Sequence, residues 1–152
     1  MGLDVGVRRI GMAISDATAT LARPLAVLRP AGLEADAPQT VATKIAGLRA
    51  EDDDIATLVV GLPTRLDGSE NEMTPRVRAF AAAIAQLTGL PVVFQDERLT
   101  SREAESRLAL TRKGWRARKT LIDAAAAAII LQDYLDAVAS ARPVAAMRES
   151  DS

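Results

Sequence analysis

A chain of 152 residues is about the length of one domain, and its 0 Cys and 0 His exclude disulfides, thiol nucleophiles, imidazole bases and zinc sites built from nitrogen or sulfur ligands. Hydrophobic residues make up 49% of the sequence and aromatic residues only 3%, so the core is expected to consist of small aliphatic side chains. No uninterrupted apolar run reaches the roughly 18 residues of a membrane-spanning helix, which predicts a cytoplasmic protein without a membrane partner.

The formal net charge of -1 conceals a strongly basic segment. Residues 98–119 contain eight basic and two acidic side chains, which gives +6 in that segment and -7 in the remainder of the chain. A basic segment of this kind attracts polyanions such as nucleic acids. The same composition is also found on solvated surfaces that bind no ligand, and both interpretations are open at this point.

Three short apolar segments near the start of the chain, separated by turn residues, predict consecutive strands in an antiparallel meander. Their predicted bounds are residues 2–6, 10–15 and 24–28. Apolar residues at helical spacing then predict an amphipathic helix from residue 38 to about residue 51. A continuously apolar run at residues 55–60 is typical of a buried parallel strand.

The polar, turn-rich residues 62–71 predict a long loop at the carboxyl end of that strand. Thr74 and Pro75 then predict the start of a helix with Thr74 as its N-cap, and Gly89 predicts its end. Residues 91–97 predict a further strand.

The remaining segments are predicted to be mainly helical. The capping-box pattern that starts at residue 100 predicts a third helix, and an Ala-rich helix is expected up to about residue 141. Its predicted range is residues 119–141, after a basic linker at residues 111–118. We expect one domain over residues 1–141, and a disordered tail over residues 142–152.

This order of elements predicts an α/β fold with a mixed five-stranded sheet flanked by helices. Three acids lie at the ends of apolar segments, and they could form a carboxylate cage: Asp4, Glu97 and Asp123. Oxygen ligands suit Mg²⁺ or Mn²⁺, and such ions most often serve phosphate-bearing substrates. Two alternatives are open: Asp96 could be the inward acid instead of Glu97, and Asp123 could simply favour the dipole at a helix start.

Four ordered motifs give the chain a strong resemblance to the YqgF/RuvX family. They are GLDVGVRRIGMAISD (residues 2–16), VVGLP (59–63) followed by Asp67-Gly68, DERLTS (96–101) and IDAAAAAIILQ (122–132). The resemblance covers nearly the whole chain. It implies an RNase H-like fold and a nuclease, with either 5′-end processing of precursor 16S ribosomal RNA or cleavage of four-way DNA junctions as the activity.

The family pattern assigns the first-strand acid to Asp4, the acid of the Asp-Glu-Arg motif to Glu97 and the last-helix acid to Asp123. These three residues are predicted to be both catalytic residues and ligands of two divalent ions, Mg²⁺ or Mn²⁺, in a two-metal hydrolysis. Four basic residues are predicted to bind the phosphates of the nucleic acid: Arg98, Arg112, Lys113 and Lys119.

Four functions are compatible with these residues. Processing of precursor 16S ribosomal RNA is the first, and resolution of four-way DNA junctions, which calls for a two-fold homodimer, is the second. A phosphotransferase of the actin-like superfamily also begins with an Asp-x-Gly hairpin, but its second domain has no room in 152 residues. A catalytically silent protein that binds RNA or the ribosome is the last.

Overall fold

The computed structural model of the chain describes residues 1–51, 54–96 and 124–141. Within these ranges the apolar segments form five strands and three helices. The strands are β1 (Gly2–Val5), β2 (Ile10–Ser15), β3 (Ala22–Leu28), β4 (Leu58–Leu62) and β5 (Val92–Asp96). The helices are α1 (Ala37–Ala50), α2 (Met73–Thr88) and α3 (Ala124–Ala141).

The five strands form one mixed sheet in the order β3-β2-β1-β4-β5. β1, β2 and β3 pair antiparallel, whereas β4 pairs parallel with β1 and β5 pairs parallel with β4. The predicted sheet, a meander followed by parallel strands, is therefore confirmed. Since β1, β4 and β5 run in the same direction, their carboxyl ends meet at one edge of the sheet, which we call the carboxyl edge.

The edge strand β3 begins at Ala22, two residues before its predicted start, and it includes Pro24. Proline lacks the amide hydrogen that a central strand needs, so it is confined to edge strands and irregular pairings. Both conditions hold here: β3 is an edge strand, and the register between β2 and β3 shifts between Met12 and Ala13. The proline that marked a strand boundary in the sequence thus lies inside the strand.

Strand β4 begins later than predicted, at Leu58 instead of residue 55. Its backbone pairing starts there, because the amide groups of Leu58 and Val59 donate to the carbonyls of Pro91 and Met1 at 2.9 and 2.8 Å. Ile55 is buried in the core although it precedes the strand. Burial alone explains its apolar character, and the paired segment is displaced toward the carboxyl edge.

Helix α2 begins at Met73, and the predicted N-cap, Thr74, is wrong because this residue lies inside the helix. The side-chain oxygen of Asn71 accepts hydrogen bonds from the amides of Met73 (2.9 Å) and Thr74 (3.1 Å), which satisfies donors that the helix leaves unpaired. The fully buried Thr74 hydroxyl instead donates to the carbonyl of Pro63 at 2.5 Å. The predicted end is confirmed, since Gly89 has a φ of 71°.

The two faces of the sheet are covered by different helices. Leu3, Ile10 and Val60 belong to a large aliphatic cluster with residues of α1 and α2, and we call this side of the sheet the α1/α2 face. Ala13 and Val59 belong to a smaller cluster with residues of α3, on what we call the α3 face. The alternation of side chains along each strand therefore decides which helices a residue can reach.

Helix α3 lies very close to the sheet at Gly2. A Cβ atom on Gly2 would be 2.7 Å from the carbonyl oxygen of Ala127 and 2.8 Å from the Cβ of Leu131. With a mean hydropathy of 1.3 over 18 residues, α3 has the length and composition of a membrane span, but Ala127 and Leu131 are buried against the sheet, as in a core helix.

A polar contact joins the same helix to the far end of the β2–β3 hairpin. The side-chain amide of Gln132 accepts a hydrogen bond from the amide of Ala22 and donates to the carbonyl of Thr20, both at 2.9 Å. Gln132 therefore links α3 to the backbone of residues 20–22, at the turn between β2 and β3. The predictions for residues 97–123 and 142–152 lie outside the described residues.

We predict that Gly2→Ala destabilises the protein by about 1–3 kcal/mol, because the new methyl group overlaps the backbone of α3. The matched control is Gly47→Ala in α1, where no atom lies within 4 Å of an added Cβ. That substitution is expected to stabilise the helix by about 0.5–1 kcal/mol. Denaturant unfolding measures both, and equal effects of the two substitutions would contradict the close packing at Gly2.

Candidate active site at the first hairpin

Asp4 is the predicted catalytic acid that lies within the described residues. It is the third residue of β1, it is half-buried, and it pairs with Gly11 of β2. Leu3 and Val5 on either side of it point into the α1/α2 face. Asp4 therefore presents its carboxylate on the α3 face, as the alternation in the sequence predicts.

The positions beside Asp4 on both neighbouring strands are glycines. Gly11 pairs with it on β2, and the parallel register of Leu3 with Val60 puts Asp4 level with Gly61 of β4. Neither neighbouring strand therefore places a side chain directly beside the carboxylate on the α3 face. This leaves space for a ligand against the backbone of the sheet.

The turn after β1 is tightly closed. The amide of Gly6 donates to the carbonyl of Arg9 at 2.8 Å, and a Cβ on Gly6 would be 2.9 Å from that same oxygen. Glycine is thus required by the close approach of the backbone. In this turn Arg8 is exposed and Arg9 is half-buried.

A pocket of about 320 Å³ opens between this turn and the Asp4 carboxylate. We call it the hairpin pocket, and it is lined by Asp4, Gly6, Val7, Arg8, Arg9 and Gly11. Its polar lining residues carry one carboxylate and two guanidinium groups. Sequence analysis predicts only a turn at Arg8 and Arg9 and assigns them no role in the site. Their position in a short turn directly after the strand that carries Asp4 is the signal that could have indicated such a role.

The orientation of α3 relates its start to Asp4. Residues Ala127 and Leu131 lie over Gly2, and Gln132 bonds to β3 at Ala22, which is beyond the amino end of β1. The helix therefore runs away from the carboxyl edge, and its first described residue, Ala124, lies toward the Asp4 end of β1. Asp123 precedes Ala124 in sequence and lies outside the described residues.

Strand β5 brings Asp96 to the carboxyl edge but on the other face. Val93 packs in the α3-face cluster, whereas Val92 packs against the α1/α2 cluster. Asp96 shares the alternation of Val92, so it faces away from the Asp4 carboxylate. Its exposed side chain ends β5, and Glu97, which follows it, lies outside the described residues.

The loop after β4 is held at the same edge by several hydrogen bonds. The amide of Arg65 donates to the carbonyl of Ser69 at 2.8 Å, and the Asp67 carboxylate accepts bonds from the amide and hydroxyl of Ser69 at 2.9 and 2.6 Å. The Thr74 hydroxyl fixes the start of the loop at Pro63. This long loop, which the sequence predicts, is an ordered boundary of the edge.

Most of the predicted site residues lie outside the ranges that the structure describes: Glu97, Arg98, Arg112, Lys113, Lys119 and Asp123. Among residues 1–51, 54–96 and 124–141, no group of three or more acidic side chains is close enough to hold a metal ion. The described part of the site is thus Asp4 with the hairpin pocket, at the edge where β5 ends and toward which α3 begins.

Proteins of known description match this chain in sequence over most of its length. The chain is 45% identical over 138 residues to a protein of Anaeromyxobacter sp. named "Putative pre-16S rRNA nuclease", and the match covers 90% of this chain and 95% of that one. It is 41% identical over 136 residues to a protein of the same name from Picosynechococcus sp., covering 90% of each.

Among solved structures, Thermus thermophilus RuvC in complex with a Holliday junction substrate superposes with a TM-score of 0.51 at 17% identity, over 90% of this chain and 92% of that chain. At that identity the likeness shows the fold, and the predicted RNase H-like fold is confirmed. A family model described as RuvX, Holliday junction resolvase, matches residues 1–137. With the match extending over nearly all of its length, the chain belongs to the RuvX family.

Proposed function

We propose that this chain is a metal-dependent nuclease that hydrolyses phosphodiester bonds of structured RNA, with precursor 16S ribosomal RNA as its substrate. The observation that carries the proposal is the Asp4 carboxylate, placed between two glycines at the carboxyl edge of an RNase H-like sheet and beside two arginines. This arrangement joins a site for a hard cation to a site for an anion. A phosphodiester with a divalent ion has both charges.

The ligands of the ions are proposed to be Asp4, Glu97 and Asp123. The half-buried Asp4 carboxylate fits a hard cation, because it supplies oxygen ligands and the neighbouring strand positions are glycines that add no side chain beside it. Two bound Mg²⁺ or Mn²⁺ ions would supply an activated water and stabilise the leaving oxygen. Without His or Cys in the chain, no imidazole or thiol is available for these tasks.

Side-chain alternation favours Glu97 over Asp96 as the second acid. Asp96 faces away from Asp4, and the next residue of a strand points to the opposite face from its predecessor. A carboxylate at position 97 would therefore share the α3 face with Asp4. The direction of α3 supports Asp123 in the same way, because the helix begins toward the Asp4 end of β1.

The chain's own basic residues would bind and orient the substrate. Arg98 adjoins the second acid in sequence, and Lys119 precedes Asp123 by four residues, so both are proposed to face the phosphates around the cleaved bond. Arg112 and Lys113 are proposed to belong to a docking surface for more distant phosphates. The hydrolysis consumes one water and leaves a phosphate on one fragment and a hydroxyl on the other.

The names of the two relatives support ribosomal RNA as the substrate, and we propose a cytoplasmic location for this activity. A specific observation also favours a second candidate: the family description and the structural neighbour both refer to Holliday junctions. A junction resolvase would act as a two-fold homodimer, because the two strands to be cut are related by symmetry. A binding protein without catalytic activity is the remaining alternative.

We predict that Asp4→Asn lowers the rate of Mg²⁺-dependent cleavage more than about 100-fold, because even replacing a residue that only supports a metal ligand costs about 10–100-fold. Gel assays on a precursor 16S leader RNA and a four-way DNA junction measure the rate and identify the substrate. Asp54→Asn removes the same charge from an exposed residue before β4, at the opposite edge, and should leave the rate unchanged. Cleavage of neither substrate by the unmodified protein would favour the binding protein.

For the adjacent acids, Glu97→Gln should abolish cleavage, while Asp96→Asn should retain it within a few-fold. The physical reason is that Asp96 faces away from the α3 face, where Asp4 lies, and a strand continued by one residue would place a carboxylate on that face. Rates under identical Mg²⁺ concentrations check this. The reverse pattern of loss would identify Asp96 as the ligand.

We further predict that the affinity for RNA or DNA decreases steeply with salt, and that Arg112→Ala combined with Lys113→Ala weakens binding. Removing one phosphate-binding charge should lower the slope of the logarithm of the binding constant against the logarithm of salt by about one. Fluorescence anisotropy over a range of KCl concentrations gives this slope. A flat salt response would eliminate the basic segment as the docking surface.

A further inference from the structure

We propose that Arg8 and Arg9 form a phosphate-binding site in the hairpin pocket, and that its ligand is a backbone phosphate of the strand to be cut. The inference rests on the proposed nuclease function and adds a substrate contact from a different part of the chain. It gives the β1–β2 turn a role in holding the substrate beside the Asp4 carboxylate.

The turn that carries Arg8 and Arg9 has a fixed geometry. Arg8 and Arg9 are adjacent in a four-residue connection between β1 and β2, and the bond from the Gly6 amide to the Arg9 carbonyl closes that connection. The exclusion of any Cβ at Gly6 shows how closely the two ends of the turn approach. A short, closed turn holds its side chains with less conformational freedom than a long loop, so binding costs less entropy.

The pocket brings Arg9 and Asp4 together. Both residues line it, and Gly11, which pairs directly with Asp4, lies in the same lining. Gly11 puts no side chain between them. A ligand in the pocket can therefore contact a guanidinium group and approach the carboxylate at the same time.

The chemistry of the lining points to a phosphodiester. Guanidinium groups bind phosphate oxygens with two parallel hydrogen bonds, and they remain charged at any physiological pH. A free anion would be repelled by Asp4, and a divalent ion held by that carboxylate would offset the repulsion. The arginines would then contact the phosphate directly, whereas the carboxylate would contact the ion.

The composition of the pocket favours the sugar-phosphate backbone over a nucleobase. Its volume of about 320 Å³ lies within the range of small-ligand sites, so the lining residues decide the ligand class. No aromatic side chain lines it, and Val7 is its one large apolar lining residue among those described. Stacking of a base requires an aromatic or apolar platform. The sugar-phosphate backbone is the part of a nucleic acid that this pocket fits.

The test measures binding without cleavage. Fluorescein-labelled leader RNA and four-way DNA junction are titrated with Ca²⁺ in place of Mg²⁺, over a range of KCl concentrations, with the unmodified protein, Arg8→Ala and Arg9→Ala. A gel of each sample verifies that the nucleic acid is intact. Each substitution should lower the slope of the logarithm of the binding constant against the logarithm of salt by about one, independently of nucleotide sequence. Arg49→Ala is the matched control, because it removes an equal charge from an exposed position of α1 on the opposite face, and its slope should not change.

Arg9→Lys retains the charge and should keep the slope, which separates phosphate binding from a purely structural role of Arg9. If Arg9→Ala unfolds on heating well below the unmodified protein, Arg8→Ala and Arg9→Lys carry the test. Unchanged slopes in both alanine variants, or an unmodified protein that binds neither nucleic acid, would overturn the inference. A parallel cleavage assay in Mg²⁺ keeps the two proposals distinct: slope changes without cleavage refute the nuclease function alone, whereas cleavage with unchanged slopes refutes the phosphate site alone.

Discussion

The contact between α3 and β1 at Gly2 determines how the candidate site is arranged. Because an atom added to Gly2 would be 2.7 Å from the Ala127 carbonyl, the helix backbone rests almost directly on the strand. Gly2 and Asp4 are two residues apart on the same face, so this contact sets the distance between the helix and the proposed catalytic acid. A bulkier residue at position 2 would raise the start of the helix away from the sheet.

Because side chains alternate along each strand, one face of the sheet packs the main core and the other face carries the proposed catalytic acid. On the α1/α2 face, Leu3 and Val60 continue a large aliphatic core that stabilises the fold. On the α3 face the cluster is small, and near the carboxyl edge the positions around Asp4 are glycines. A single strand of four residues can thus stabilise the core and present a reactive carboxylate, because consecutive residues of β1 serve opposite faces.

Much of this architecture could be predicted from local patterns. Strand β2 and the end of α2 at Gly89 follow from apolar runs and from the left-handed conformation that glycine tolerates. Less could be predicted where distant residues decide the outcome. Thr74 resembles an N-cap in sequence, but its hydroxyl bonds to Pro63, a contact that exists only after the loop folds back.

In the candidate site, too, some features follow from local sequence patterns and others depend on distant residues. Asp4 and its orientation follow from alternation within one strand, whereas our preference for Glu97 over Asp96 is a proposal that rests on the cluster in which Val93 packs, a property of the packed sheet. The role that we infer for Arg8 and Arg9 likewise requires the pairing of Asp4 with Gly11. A sequence contains both arginines but not the pocket between them and the carboxylate.

The two hydrogen bonds from Gln132 to the β2–β3 hairpin fix the position of α3 along the sheet. Apolar packing is non-directional, so it specifies the position of α3 along the sheet less sharply than hydrogen bonds do. A shift of the helix by one residue corresponds to roughly 1.5 Å of translation and 100° of rotation. The Gln132 amide bonds to backbone groups of Thr20 and Ala22, whose positions are fixed by the hairpin. One polar side chain, located at the end of the molecule remote from Asp4, therefore restricts the helix to a single axial position.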